Sequence, residues 1–215
     1  MRKEGFRLSG AQLMLLYALG PAKQSLCGSN SSSLKDNIGG IVNLVHAGIL
    51  PEKEAEIIAS KLKNATRRCR ALAELLGIND PFSSEVVRTY FIGSKQLFKL
   101  PKGFEFHHNF GVLGQGTKGN RARLCLIRAG RIRRKNGEVI SVNCRTIRWN
   151  KDNKVSFGKI FKFSVGIPRE LNQRIKIGDW VSFHWGWICQ TISEEQKNIL
   201  EAFTARIFDH YNQNS

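Results

Sequence analysis

Between Ser9 and Lys99, apolar side chains return every three or four positions, the spacing of one face of an α-helix. Ser9 stands where an N-cap belongs, ahead of Leu13, Leu16, Tyr17 and Leu19, and Gly20-Pro21 would end that helix. A serine-rich loop, "SLCGSNSSSLKDN", follows. A second helix is predicted from Ile38 to Ile49, ahead of Pro51. Pro51 with Glu52, Glu54 and Glu56 suits the first turn of a third, since Pro costs no hydrogen bond there and carboxylates complement the helix dipole. Its stripe runs Ala55, Ile58, Leu62, Ala65, Cys69, Leu72, Leu76, and Gly77 stops it. Asp80-Pro81 starts a fourth, through Val86, Val87, Tyr90 and Phe91. His46 and Cys69 fall on apolar stripes and read as core residues.

After Lys99 the period shortens to two. "LPKGFEFHHNFGVLGQG" alternates, with Phe104, Phe106, His108 and Phe110 on one side and His107 on the other. "RLCLIRAGRIRRKNGEVISVNC" reads as two strands around Asn136-Gly137, a strong hairpin signal. "KVSFGKIFKFSVG" alternates again, and "RIKIGDWVSFHWGWICQTI" reads as a long strand or a hairpin arm. Ser193-Glu194-Glu195 opens a final helix with Ile199, Leu200, Phe203 and Ile207 on one face. The prediction is an α+β chain: an all-α domain over residues 1–100, then a small OB-like antiparallel β-barrel with a C-terminal helix over 101–215.

Composition adds a partner class. The chain of 215 residues carries 34 Lys and Arg against 17 Asp and Glu, a formal charge of +17. Residues 101–215 hold 20 of those cations and 9 of the acids, so the β half is the more basic. Such a surplus favours nucleic acid, an anionic surface or an acidic protein. Arg121, Arg123, Arg128, Arg131, Arg133 and Arg134 crowd one stretch, and basic strands with aromatics on a small barrel are how many single-strand binders are made. A nucleic-acid-binding module is therefore one expectation.

Five cysteines with no C-x-x-C pair read as reduced thiols. No stretch approaches the ~18 apolar residues of a membrane span, and the N-terminus lacks a secretory pattern. A cytoplasmic protein without a membrane span is expected. No P-loop, G-x-S-x-G or G-x-G-x-x-G in a βαβ setting occurs, and acids are sparse in the β half, so no enzyme is expected.

Candidate chemistry centres on two stretches. In "GDWVSFHWGWICQTISEEQ", strand alternation sets Val181, Phe183, Trp185 and Trp187 on one face. Ser182, His184, Gly186 and Ile188 take the other, where Gly186 leaves room beside the imidazole. In "RLCLIRAGRI", Cys125 lies on a strand among arginines that favour thiolate. Cys144 follows the hairpin and would approach Cys125 across paired strands. Adjacent His107 and His108 would need a bulge to reach one site.

Taken together these stretches resemble the hydrogenase maturation chaperones of the HypC/HupF type. "LCLIRAGRI" is similar to their opening Cys, apolar residues and Gly, with Ala129 where Pro is usual. "KIGDWVSFHWGWICQTISEEQKNILEAF" is similar to their Gly-Asp pair, His-bearing strand and acidic helix start. The resemblance spans Leu124 to Ile207. It implies an OB-like barrel with a C-terminal helix and a non-enzymatic accessory role in nickel–iron hydrogenase maturation. It also implies docking on the hydrogenase large subunit or a maturation protein, and handling of iron as Fe(CN)2CO through Cys125 and His184. Thiolate and imidazole are good ligands for such a centre. Cys125 is internal here and has no free amine.

Overall fold

The computed structural model describes residues 8–19, 38–167 and 169–214. The serine-rich loop and the Gly20-Pro21 stop lie outside them. The fold is α+β: N-terminal helices, a closed five-stranded barrel and a C-terminal helix. Two units divide the chain, Met1–Arg88 and Thr89–Ser215.

The first unit is built on α1 (Gly10–Leu19), which is apolar all round and buried all round. Ser9 and Gln12 form a reciprocal cap: Gln12 N donates to Ser9 Oγ at 3.3 Å and Ser9 N to Gln12 Oε1 at 2.9 Å. α2 (Ile38–Ala47) and α3 (Glu52–Ser60) pack against α1. The single helix expected from Pro51 to Leu76 is instead two, α3 and α4 (Lys63–Leu76). At the break, Leu62 leaves helical geometry with ψ 65°. Across it, Thr66 Oγ1 donates to Ala59 O at 2.9 Å. The apolar stripe continues through a break because both pieces bury the same side. Gly77 ends α4 in the left-handed conformation, φ 68°. His46 and Cys69 are buried, as predicted, and burial pushes the Cys69 thiol up to about 12. α5 (Ser84–Ile92) carries the chain into the second unit.

α6 (Lys95–Phe98) lies within the stretch expected to be helical. Beyond it, helices stand where strands were expected: a 3-10 turn at Gly103–Phe106, then α7 (His108–Gly114) and α8 (Gly119–Cys125). Alternation over six or seven residues is also what a buried turn running into a short helix produces, and no long period was present to decide. His107 is the N-cap of α7: its Nδ1 accepts from Asn109 N at 3.1 Å.

Three strands form a meander: β1 (Arg128–Asn136), β2 (Val139–Trp149) and β3 (Val155–Gly166). The predicted hairpin is present, shifted by one residue. Asn136 pairs with Val139, so Gly137-Glu138 is the loop, and Gly137 has φ 58°. A short α9 (Arg169–Asn172) leads to β4 (Trp180–His184) and β5 (Trp187–Ile192), then α10 (Glu194–Gln213). Strand order is β1-β2-β3-β5-β4, closed by β4 on β1. The β3–β5 seam is parallel and touches only at Gly166 and Trp187. A Cβ on Gly166 would stand 2.7 Å from the Trp187 ring, so only glycine lets the seam close. Ile132, Ile140, Val142, Val165, Val181, Phe183 and Ile188 fill the barrel. α10 begins with a Ser193–Gln196 capping box and packs on β1, β3 and β4.

Candidate metal centre

The sequence "SFHWGWIC" is a hairpin rather than one strand. Trp185 and Gly186 both have positive φ, 54° and 73°, as a two-residue type I′ turn requires. The expected face of Phe183, Trp185 and Trp187 therefore ends at Phe183. Val181 and Phe183 do point into the barrel. Ser182 and His184 point out, yet both are buried, His184 at 1% exposure. The open small face expected beside His184 is covered, and Gly186 serves the turn.

Cys125 is likewise not on a strand. It is the last residue of α8, partly exposed, and the chain turns there into β1. Backbone contacts hold the turn: Trp185 N donates to Leu124 O at 2.7 Å. That bond draws the β4–β5 turn onto the end of α8 and sets His184 beside Cys125. His108, at the start of α7, completes the group. One ligand atom from each of His108, Cys125 and His184 lies within 4.8 Å of the others. The two imidazoles meet edge to face, centroids 5.1 Å apart. His108 Nδ1 stands 3.5 Å from the Tyr90 hydroxyl and Nε2 stands 3.3 Å from Cys125 O. Tyr90 and Phe91 of α5 wall its ring.

The residue that orders this corner is Asn109, which the sequence did not single out. Its side chain is wholly buried. Oδ1 accepts from Ile127 N at 2.8 Å, and Nδ2 donates to Ile127 O at 3.1 Å and Thr204 Oγ1 at 3.0 Å. It ties α7 to the entry of β1 and to α10, and so fixes His108 against Cys125. An Asn directly after two His in a Phe-rich stretch was the available signal: a polar amide there must find buried partners.

The other nominated residues separate from this trio. His107 is fully buried and stacks on Phe203 at 5.6 Å. Burial lowers its pKa to about 3, the backbone of Ile92 and Phe91 offsetting this in part. It is a neutral cap. Cys144 faces the barrel interior opposite Phe161. Burial pushes its thiol up to about 11 although Arg128 pulls the other way. Arg128 is itself buried, its guanidinium 4.9 Å from the Phe163 ring and 4.7 Å from that of Phe183, and Nη1 donates to Cys144 Sγ at 3.7 Å. Burial lowers its pKa, the Cys144 charge raises it, and Arg123 lowers it. Arg121 and Arg123 lie on α8, with Arg123 over Trp149. Arg131, Arg133 and Arg134 are exposed on β1.

A thiolate and two imidazoles form a borderline-soft donor set suited to zinc, copper or iron(II). Metal–sulfur bonds near 2.3 Å and metal–nitrogen bonds near 2.0–2.1 Å put tetrahedral ligand atoms roughly 3.5 Å apart. The trio fits such an ion after drawing in by about an ångström, and three ligands leave a fourth position open. Cys125 keeps that position within reach of solvent or a partner.

Residues 104–215 match the model of a family of unknown function (DUF6390). The match takes in all three of these residues and the whole barrel. No curated protein and no solved structure matches the chain.

Proposed function

The chain belongs to the family of unknown function DUF6390, and we propose that it is a non-enzymatic accessory factor that holds iron through His108, Cys125 and His184. The convergence of three separate segments on one corner carries this reading. Two of the three residues are also those that the resemblance to HypC/HupF chaperones nominates. The third repairs the difference from that family. An internal cysteine offers no terminal amine, and His108 supplies a nitrogen donor beside it. In this reading iron is cargo. Cys125 would bind as thiolate and the two imidazoles would supply two further donors; a bare ion would keep a position for a partner's ligand, and Fe(CN)2CO would fill three further positions with its own diatomics. The partner is then an immature hydrogenase large subunit or a maturation protein.

Metal analysis of anaerobically purified protein tests it. One iron per chain is expected in the wild type, with at least a tenfold loss of iron(II) affinity in Cys125→Ala, His184→Ala and His108→Ala. His210→Ala, which removes a ring packed on Phe104 and Phe110, serves as the control and should bind normally. Wild-type protein that fails to take up iron(II), or triad variants that bind it as well as the wild type, would overturn the reading.

A further inference from the structure

The bare side of the barrel has an unfinished edge along β3. α10 covers the start of that strand, where Asn212 bonds both backbone groups of Val155 and Phe208 packs on Phe157. From Lys159 to Ser164 the strand stands clear: every residue is exposed except Phe163, which is half-buried. β5 meets β3 only at Gly166. Gly166 N donates away from β2, to Gly186 O at 2.8 Å, while Ile167 N turns the other way, to Glu138 O at 3.0 Å. Backbone groups of successive strand residues alternate between the two edges. Ser164, Lys162 and Ile160 therefore aim their N–H and C=O groups as Gly166 does, away from β2. Among the described residues, none of the three has a backbone partner on that side.

The two faces beside this edge differ in chemistry. Directly opposed residues of an antiparallel ladder share a face. Ile160 opposes Arg145, and Lys162 opposes Asn143, which opposes Arg131; this is the outer, cationic face. Phe161 opposes Cys144 and Phe163 opposes Val142, on the inner face. Ile160 is 66% and Phe161 51% exposed, so both faces of the free edge carry open apolar surface. β1, β2 and β3 together hold nine Lys and Arg and no Asp or Glu. Neither described ion pair, Lys95–Glu195 or Lys197–Glu201, involves this sheet.

We infer that the β3 edge takes an extended segment of an acidic partner protein as an added strand. Alternating amide donors and acceptors in strand register are completed by another polypeptide. A nucleic-acid backbone offers acceptors and no amide donors, so it would leave the three carbonyls unpaired. Side chains then set the segment's pattern. Lys162 and Arg145 on the outer face select acids at alternate positions, and Phe161 and Phe163 on the inner face select apolar residues between them. A second copy of this chain does not meet that pattern: pairing two β3 edges would join two sheets that each carry nine cations and no acid. The metal triad has no residue on β3, so this inference stands apart from the metal reading.

Fluorescence anisotropy of the full chain with a labelled peptide of alternating Glu and Val, about nine residues long, tests it. The peptide is expected to bind at least tenfold more tightly than polyglutamate of equal charge or oligo(dT). Two substitutions at one position separate charge from backbone. Lys162→Ala removes the cation and keeps the outward N–H, and should weaken binding by about 2- to 5-fold. Lys162→Pro removes the same cation, replaces that N–H with a ring, and leaves the bonds to β2 in place. It should lose at least a further tenfold while melting close to Lys162→Ala. Methylating the amide nitrogens of the Glu set or of the Val set should abolish binding in one case only, because a strand docks by one edge. No binding of the alternating peptide overturns the inference. So does Lys162→Pro binding as well as Lys162→Ala, or polyglutamate or oligo(dT) binding as tightly as the peptide. Sedimentation showing a dimer of the chain that Lys162→Pro dissolves would assign the edge to a second copy and equally refute it.

Discussion

Along β1, Ala129 and Arg131 are two positions apart and lie on the same outer face of the barrel. Ala129 opposes Ser182 under helices, and both are buried; Arg131 opposes Trp180 and is exposed. The edge of the helical cover runs between them. Under the cover the outward side chains are small or neutral, and they leave a partly sheltered corner in which buried His184 meets the half-buried Cys125 and His108. Beyond it they are cationic. A strand alone is indifferent to which face carries ligands and which carries charge. What α7, α8 and α10 cover decides it, because a neutral imidazole tolerates burial and an unpaired cation does not.

The comparison breaks hardest at Asn109. Asn109→Ala leaves the Ile127 N–H and carbonyl buried without their partner, which should cost about 2–4 kcal/mol. Urea unfolding would read this as a lower midpoint with an unchanged slope. Iron uptake should fall with it, since His108 loses its tether. Lys162→Ala on the bare face should stay within about 0.5 kcal/mol. If the two variants matched, the cover would contribute nothing special to the corner.

Cys144, inside the barrel, should give a smaller, pH-dependent effect. Its folded pKa of about 11 lies above the unfolded value of about 8.5. The folded state therefore holds its proton where the unfolded state releases one. The stabilisation is complete below about pH 8.5 and is lost as pH rises toward 11, at up to ~1.4 kcal/mol per pH unit. Cys144→Ala should remove about one proton's worth of that alkaline slope, measured by urea unfolding from pH 7.5 to 10. An identical slope in the variant would mean that the thiol is not held protonated by burial.

Much of the architecture was legible because its signals are local. Ser9 and Ser193 cap where they should, Gly77 stops α4, and three alternating runs became β1 to β3. Residues 104–125 were not legible as helices: their apolar positions alternate, and a short buried helix shows too few turns to establish its period. Cys125 and His184 emerged as a pair, but on the supposition that both sit on strands. What joins them is a backbone bond from Trp185 to Leu124, and backbone bonds leave no mark on residue identity. His108 was a secondary candidate because alternation set it on a strand face; its place follows from Asn109, whose partners lie at Ile127 and Thr204. Nothing short-range in the sequence announces those.

Gly186 offers the smallest and most discriminating test of the covered face. It sits two residues from His184, so it could serve either the turn or ligand access. Its φ of 73° and the open space around a built Cβ favour the turn. Gly186→Ala should cost about 1 kcal/mol, the strain of a Cβ in the left-handed region. Gly186→Asn is larger, yet Asn adopts that region readily. If the turn alone requires glycine, the Asn variant should be the more stable of the two and bind iron(II) with unchanged affinity. If access to the corner requires glycine, affinity should fall with side-chain size, Asn below Ala. Thermal melting and iron titration on the same two proteins separate these orders, because the two roles rank Ala and Asn oppositely.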